Sequence, residues 1–183
     1  DPPAFTVDLG PDLSVLLGET VDIAISSSEE ASRFQWRPGS IDCEPPCDVF
    51  STVILEDTDI SLLATTAQGC QARDEVQVTV DGLPEVFIPN VFSPNGDEIN
   101  DFFTVYTAGF SEAVSQVVKL SVVDRSGREV FSKESFPAGV SSSGWDGSEN
   151  GKDATSGVYF YAATVAFING QQVDYKGRLL LVR

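Results

Sequence analysis

The chain has 183 residues, 42% of them hydrophobic, and a net charge of -17 from 28 acidic residues against 11 Lys plus Arg. A surface this acidic repels phosphate backbones and anionic membranes, which excludes nucleic-acid binding. The chain has no His, which removes Ser-His and Cys-His nucleophile activation and histidine-based metal sites.

In chain order the pattern is short strands with almost no helix. Thr20-Val21-Asp22-Ile23-Ala24-Ile25-Ser26 alternates apolar and polar residues, as a half-buried strand does. Further strands are predicted over 32–37, 52–56, 60–66 and 75–80, with turn residues between them at β-sandwich spacing. Trp36 falls on the second of these five, where a sandwich buries an aromatic between its sheets. Asp81-Gly82-Leu83-Pro84 breaks the pattern and is the expected linker. Beyond it strands are predicted over 86–88, 103–106, 117–124, 129–132, 158–167 and 173–182. Ser126-Gly127 and Asn169-Gly170 read as tight hairpin turns, and one helical turn is expected within 110–116. The expected fold is all-β, as two tandem immunoglobulin-like β-sandwich domains over 1–83 and 84–183. The chain starts at Asp1 without an initiator Met or signal peptide. It reads as a fragment of a larger secreted protein whose export signal lies upstream. No apolar run reaches membrane-spanning length.

Cys43, Cys47 and Cys70 are an odd set for an exported chain. If the Trp36 strand runs antiparallel to the 60–66 strand, Cys43 and Cys70 follow opposite ends, about 20 Å apart. That is beyond disulfide reach. Cys43–Cys47 is therefore the expected disulfide, with Cys70 a free, buried thiol. The rival is a long-range bond to Cys70.

Asn95, Asp97, Asn100 and Asp101 place four oxygen-bearing side chains within seven residues, with Gly96 permitting a sharp turn. They are candidate calcium ligands, supplying three or four of the six to eight oxygens that Ca2+ takes. The other reading is a loop whose Asx side chains cap their own backbone amides. A second loop, Trp145-Asp146-Gly147 with Asn150-Gly151, has the same two readings, and Trp145 closes the core. No cofactor is required by any motif. Abundant carboxylates leave a glycosidase-type pair open by counting, but a sandwich of this size offers no deep sugar cleft. No catalytic residue is assigned, and the chain is not read as an enzyme.

The terminal run Arg178-Leu179-Leu180-Leu181-Val182-Arg183 is strongly β-prone. It reads as a core strand whose edge another protein can extend by strand addition. These six are the candidate partner-binding residues.

Several segments occur in one family's order. They are Asn90-Val91-Phe92-Ser93-Pro94-Asn95-Gly96-Asp97-Glu98-Ile99-Asn100-Asp101, Asp124-Arg125-Ser126-Gly127, Gly144-Trp145-Asp146-Gly147, Asn150-Gly151-Lys152, Gly157-Val158-Tyr159-Phe160-Tyr161 and the close from Gly177 to Arg183. Over 86–183 the chain resembles the gliding-motility-associated C-terminal domain, the type B sorting domain of the Bacteroidota type IX secretion system. It departs at Ser126, where relatives often carry an aromatic, and at Glu98, where they often carry Gly. The first part resembles the PKD or immunoglobulin-like repeats that precede such signals, on Phe34-Gln35-Trp36, the Cys43 to Cys47 segment and Gly69-Cys70.

The resemblance implies a signal for secretion across the outer membrane and for surface retention of a large cargo, with a spacer repeat ahead of it. Its partners would be the type IX translocon and an outer-membrane protein, and the chain is expected to be monomeric and not membrane-spanning. The alternative is a calcium-ordered adhesive module of a surface adhesin that binds ligands through its sandwich-end loops.

Overall fold

The computed structural model describes residues 4–39, 41–45, 49–109 and 111–183. The chain divides into two compact units, Asp1–Gly82 and Leu83–Arg183. Both are all-β, and the described helical turns are two short 3-10 segments, Ser111–Ala113 and Ser141–Ser143.

The first unit contains β1 (Val7–Asp8), β2 (Leu13–Leu16), β3 (Thr20–Ala24), β4 (Ser26–Ser27), β5 (Arg33–Arg37), β6 (Ile41–Cys43), β7 (Val49–Val53), β8 (Thr58–Thr65) and β9 (Gln71–Gly82). One sheet has the order β2-β9-β8-β5-β6, with β2 parallel to β9, and β3 pairs with β7 in a second sheet. This is the strand order of an immunoglobulin-like sandwich. Alternation drives it: Val21 and Ile23 of β3, Phe34 and Trp36 of β5, and Ile60, Leu62 and Ala64 of β8 all face one core. Trp36 is buried there and stacks on Phe50 of the opposite sheet at 4.9 Å.

The second unit contains β10 (Val86–Phe87), β11 (Val91–Phe92), β12 (Tyr106–Thr107), β13 (Val114–Val123), β14 (Glu129–Phe136), β15 (Ser148–Glu149), β16 (Lys152–Asp153), β17 (Gly157–Phe167) and β18 (Gln172–Leu181). Its main sheet has the order β11-β18-β17-β13-β14, again with a parallel pair at one edge, β11 with β18. The opposing layer is sparse, made of the ribbons β10-β12 and β15-β16 and an isolated Phe103↔Trp145 bridge. Phe92, Phe103, Trp145, Leu120, Val122, Val165, Phe167, Leu179 and Leu181 fill the core between the layers.

The differences from the sequence reading have local causes. Asp81-Gly82 is not linker: it completes β9, and the Gly82 carbonyl accepts the Leu17 N–H. The strand expected over 52–56 lies at Val49–Val53; beyond it Ile54 still donates to the Glu19 carbonyl beside β3, but its own carbonyl accepts from Gly18, a one-residue slip at which the regular ladder ends. The 103–106 strand is split: Phe103 pairs in its bridge to Trp145, and Tyr106 pairs with Phe87 at the start of β12. The expected helical turn is reduced to Ser111–Ala113 before β13 begins; Phe110 lies outside the described residues. Both hairpin turns are three-residue loops rather than two. Gly127 N–H bonds to Asp124 and Gly170 N–H to Phe167, and each glycine sits at positive φ next to the returning strand.

The cysteine geometry also differs. β5 and β8 are antiparallel, but β6 folds back along β5 and sets Cys43 opposite Phe34, whose other neighbour is Ala64. Cys43 therefore stands at the same end of the sheet as the Thr66–Cys70 turn, so the separation argument fails. Cys43 is disulfide-bonded, whereas Cys70 is free and exposed rather than buried. Cys47 lies outside the described residues.

Candidate functional site

In the second unit three loops and the last strand meet around one aromatic cluster. Phe103 and Trp145 exchange both backbone hydrogen bonds, at 2.8 and 2.9 Å. That pair stands where β3 and β7 form a whole ladder in the first unit. Trp145 is buried, donates its indole N–H to the Ser148 carbonyl at 2.7 Å, and meets Phe92 at 5.3 Å and Tyr159 at 5.0 Å. A side chain of this kind contributes about 2–3 kcal/mol by burial. Gly144 is required by space: a Cβ there would lie 2.4 Å from the Phe103 carbonyl oxygen.

Gly147 is required twice over, by φ of 75° and by Pro94, Leu181 and Arg183 crowding the place of its side chain. The Arg183 guanidinium donates to the Gly147 carbonyl at 2.7 Å and pairs with Asp153 at 3.1 Å. The neighbouring Asp146 carboxylate accepts the Ser148 hydroxyl and amide, at 2.6 and 2.9 Å. The Ser148 hydroxyl holds the Asp146 pKa below the ordinary value, aided by the nearby Arg183 charge. Asp146 therefore braces its own turn.

The Asn95 to Asp101 loop spends its carboxylates the same way. Asp101 accepts the amides of Asn95, Gly96 and Glu98 at 2.8–2.9 Å. The Gly96 amide leads in lowering its pKa. Asp97 accepts the Ile99 amide and an Asn95 side-chain N–H, while the Asn95 side-chain oxygen accepts the Asp97 amide. Asn100 takes φ of 55° and its carbonyl accepts the Ser93 N–H. Among the described residues no three Asp, Glu or Cys side chains converge as a metal centre. Glu98 stands at φ 67°, the left-handed region that favours glycine.

The turn at Asp124 is held by the same device. Its carboxylate accepts from Ser126 and from the Arg128 amide and guanidinium, and Arg128 also pairs with Glu149 of β15. The Ser126 hydroxyl is the largest influence pulling the Asp124 pKa far below the carboxylate range.

The six terminal residues separate by pleat. Leu179 and Leu181 are buried in the core, while Arg178, Leu180 and Val182 face outward. Arg183 lies past the strand and is tied to Gly147. The last strand is not a free edge at its end. β11 pairs with it at Leu180 and Leu181, and Leu180 and Val182 donate to the carbonyls of Asn90 and Phe92. Only the stretch before Arg178 keeps an open side. Sequence reading missed β11, which at two residues carries no periodicity, and with it the outward row Val91, Leu180 and Val158. It also missed that Gly177 makes room for Tyr161, whose ring atoms lie 2.8 Å from where a Cβ would be.

A family model, the CHU_C Type IX secretion signal domain, matches residues 86–181, just over half of the chain. The matched span runs from the first residue of β10 to the last of β18. No curated protein matches. Among solved structures, the chain is similar to the Bacteroides ovatus mixed-linkage glucan utilization protein SGBP-B at 12% identity, over 93% of this chain and 43% of that one, with a TM-score of 0.34. It is also similar to dimeric latent PorU from Porphyromonas gingivalis (14% identity, 93% and 19% covered, TM-score 0.34). A third is the N-terminal eight immunoglobulin domains of Down Syndrome Cell Adhesion Molecule (12%, 96% and 27%, TM-score 0.39). The chain spans less than half of each of these three structures. No helix of the described residues is long and apolar enough to cross a membrane.

Proposed function

The chain belongs to the type IX secretion signal domain family, and from that premise we propose how it is used. Residues 84–183 are a folded address that commits an upstream cargo to export, and residues 1–83 are a spacer repeat that holds the address clear of the cargo. A type IX secretion signal directs export across the outer membrane, to the cell surface or the medium. The finer reading is that the type IX translocon and an outer-membrane partner protein receive the address, that the cargo is retained at the surface, and that the chain is a monomer with no catalytic role. The observation that carries it is the match from Val86 to Leu181, end to end along the strands of one compact unit.

The test is a reporter bearing an ordinary export signal peptide, fused ahead of all 183 residues and produced in a host with a type IX system. Surface or medium location is expected for that fusion, and periplasmic retention for one lacking residues 84–183. Equal export of the two would overturn the proposal.

A further inference from the structure

The two units share one sheet topology, β2-β9-β8-β5-β6 in the first and β11-β18-β17-β13-β14 in the second. Each sheet turns one face to its core and the other outward. In the first unit the outward rows across neighbouring strands read Arg37–Ser61–Glu75 and Gln35–Leu63–Arg73, followed by Asp59–Gln77 and Ser14–Thr79. Leu16 and Leu63 apart, that face is polar, and those two stand on β2 and β8 with β9 between them, so the topology itself needs no continuous apolar strip there.

At the corresponding place the second unit carries the rows Val91–Leu180–Val158 and Arg178–Phe160–Val123. Val91, Val158, Phe160, Leu180 and Val182 are each 40–44% exposed. Side chains opposite each other on adjacent strands touch, so they form one continuous apolar strip and not scattered exceptions. Strand propensity does not require it, since threonine serves as well on a solvated face. A depression lined by Asn90, Val158, Tyr161, Arg178, Leu179 and Leu180 runs along the strip. Beside it stand Arg178 and Lys176, neither in an ion pair among the described residues, on a chain of net charge -17. Two unneutralised cations bordering an apolar strip fit carboxylates flanking an apolar ridge.

We propose that this outward face of β11, β17 and β18 is the docking surface for a protein of the export machinery that presents an apolar ridge flanked by carboxylates. The assignment rests on the second unit being a secretion signal and adds what is read: a folded surface drawn from three strands. The linear run of the last six residues is not enough, because Leu179 and Leu181 face the core and Val91, Val158 and Phe160 come from elsewhere.

The test uses the full-chain reporter fusion with the double substitution Phe160→Thr and Leu180→Thr, and separately Arg178→Glu and Arg178→Lys. Thermal unfolding of each chain is measured alongside the exported fraction. The double variant is expected to fold with a melting temperature close to the parent and to lose export by about tenfold or more, as when an interface anchor is removed. Arg178→Glu is expected to reduce export, and Arg178→Lys to retain it. A folded double variant exported like the parent overturns the surface assignment while leaving the secretion signal intact. Failure of the parent fusion itself to be exported overturns the signal, and the surface with it. Should the double variant not fold, Arg178→Glu decides, since its exposed side chain bears on no core contact; export equal to the parent then refutes the assignment. Sedimentation is expected to show a monomer, and a dimer dispersed by Phe160→Thr would make the occupant a second copy and overturn the proposal.

Discussion

Replacing Gly144 by Ala separates two physical effects that act with opposite sign. Gly144 has φ of -82°, an ordinary conformation for any residue. On backbone grounds alone, alanine there lowers the entropy of the unfolded chain and stabilises by about 0.4–1 kcal/mol. Space says otherwise. The added methyl would lie 2.4 Å from the Phe103 carbonyl oxygen and 2.8 Å from the Thr104 Cβ. Both neighbours are fully buried and have no room to retreat. Relief requires parting the Phe103–Trp145 bridge, which sacrifices two hydrogen bonds worth about 1 kcal/mol each. Overpacking adds about 1–3 kcal/mol. The net is a loss near 3 kcal/mol, and for a unit of this size that lowers the melting temperature by roughly 10 °C or more. Thermal unfolding followed by near-ultraviolet circular dichroism, where the packed Trp145 contributes, measures it. An unchanged or higher melting temperature would refute the claim that close approach dictates glycine here.

Glu98→Gly should raise stability by about 1 kcal/mol, because the left-handed backbone that penalises glutamate suits glycine; a melting temperature no higher than the parent contradicts it. Asp101 and Asp124 have lowered pKa values, from the Gly96 amide and the Ser126 hydroxyl first among their causes. The stability they lend is therefore present above the usual carboxylate value of about 4 and lost as pH falls through the lowered folded value. A melting-temperature profile from neutral pH downward should fall below that point, and Asp124→Asn should flatten the fall. Calcium should leave the melting temperature unchanged, since the Asn95 to Asp101 oxygens already accept backbone amides; a rise abolished by a chelator and by Asp101→Asn would restore the cation reading. Arg183→Ala should cost about 1 kcal/mol through the lost bond to the Gly147 carbonyl, with little from Asp153, whose side chain is largely exposed. Chemical denaturation of parent and variant tests it.

Long strands with regular alternation were legible from sequence. β8, β9, β13, β17 and β18 sit where their apolar period places them, because each turns alternate residues toward the core. Trp36 was legible as a core residue from its place on an alternating sandwich strand, and Trp145 from the glycines around it, which leave a large aromatic few other places to go. Two-residue strands were not. β11 has no period to detect, and it is parallel to β18, so its register depends on contacts nearly ninety residues away. The acidic loop admitted both readings because calcium and backbone amides attract the same carboxylates. Only the folded geometry shows which donors reach Asp97 and Asp101. The cysteine argument failed at a single unseen element, the return strand β6, which reverses the end at which Cys43 stands.

The division of the terminal strand between two faces bears on how such a signal is dissected. Deleting residues from the end removes Leu181 and then Leu179, both buried, together with the Arg183 bond to the loop that holds Trp145. Leu181 alone, truncated to alanine, is expected to cost about 2–5 kcal/mol, a large share of what a unit of about one hundred residues has to spare. A shortened chain that is no longer exported is therefore as well explained by an unfolded address as by a lost contact. Substitutions confined to Val91, Val158, Phe160 and Leu180 avoid that ambiguity, because these side chains leave the core untouched while changing what a partner meets. The pleat of the strand thus decides which experiments bear on recognition and which only on folding.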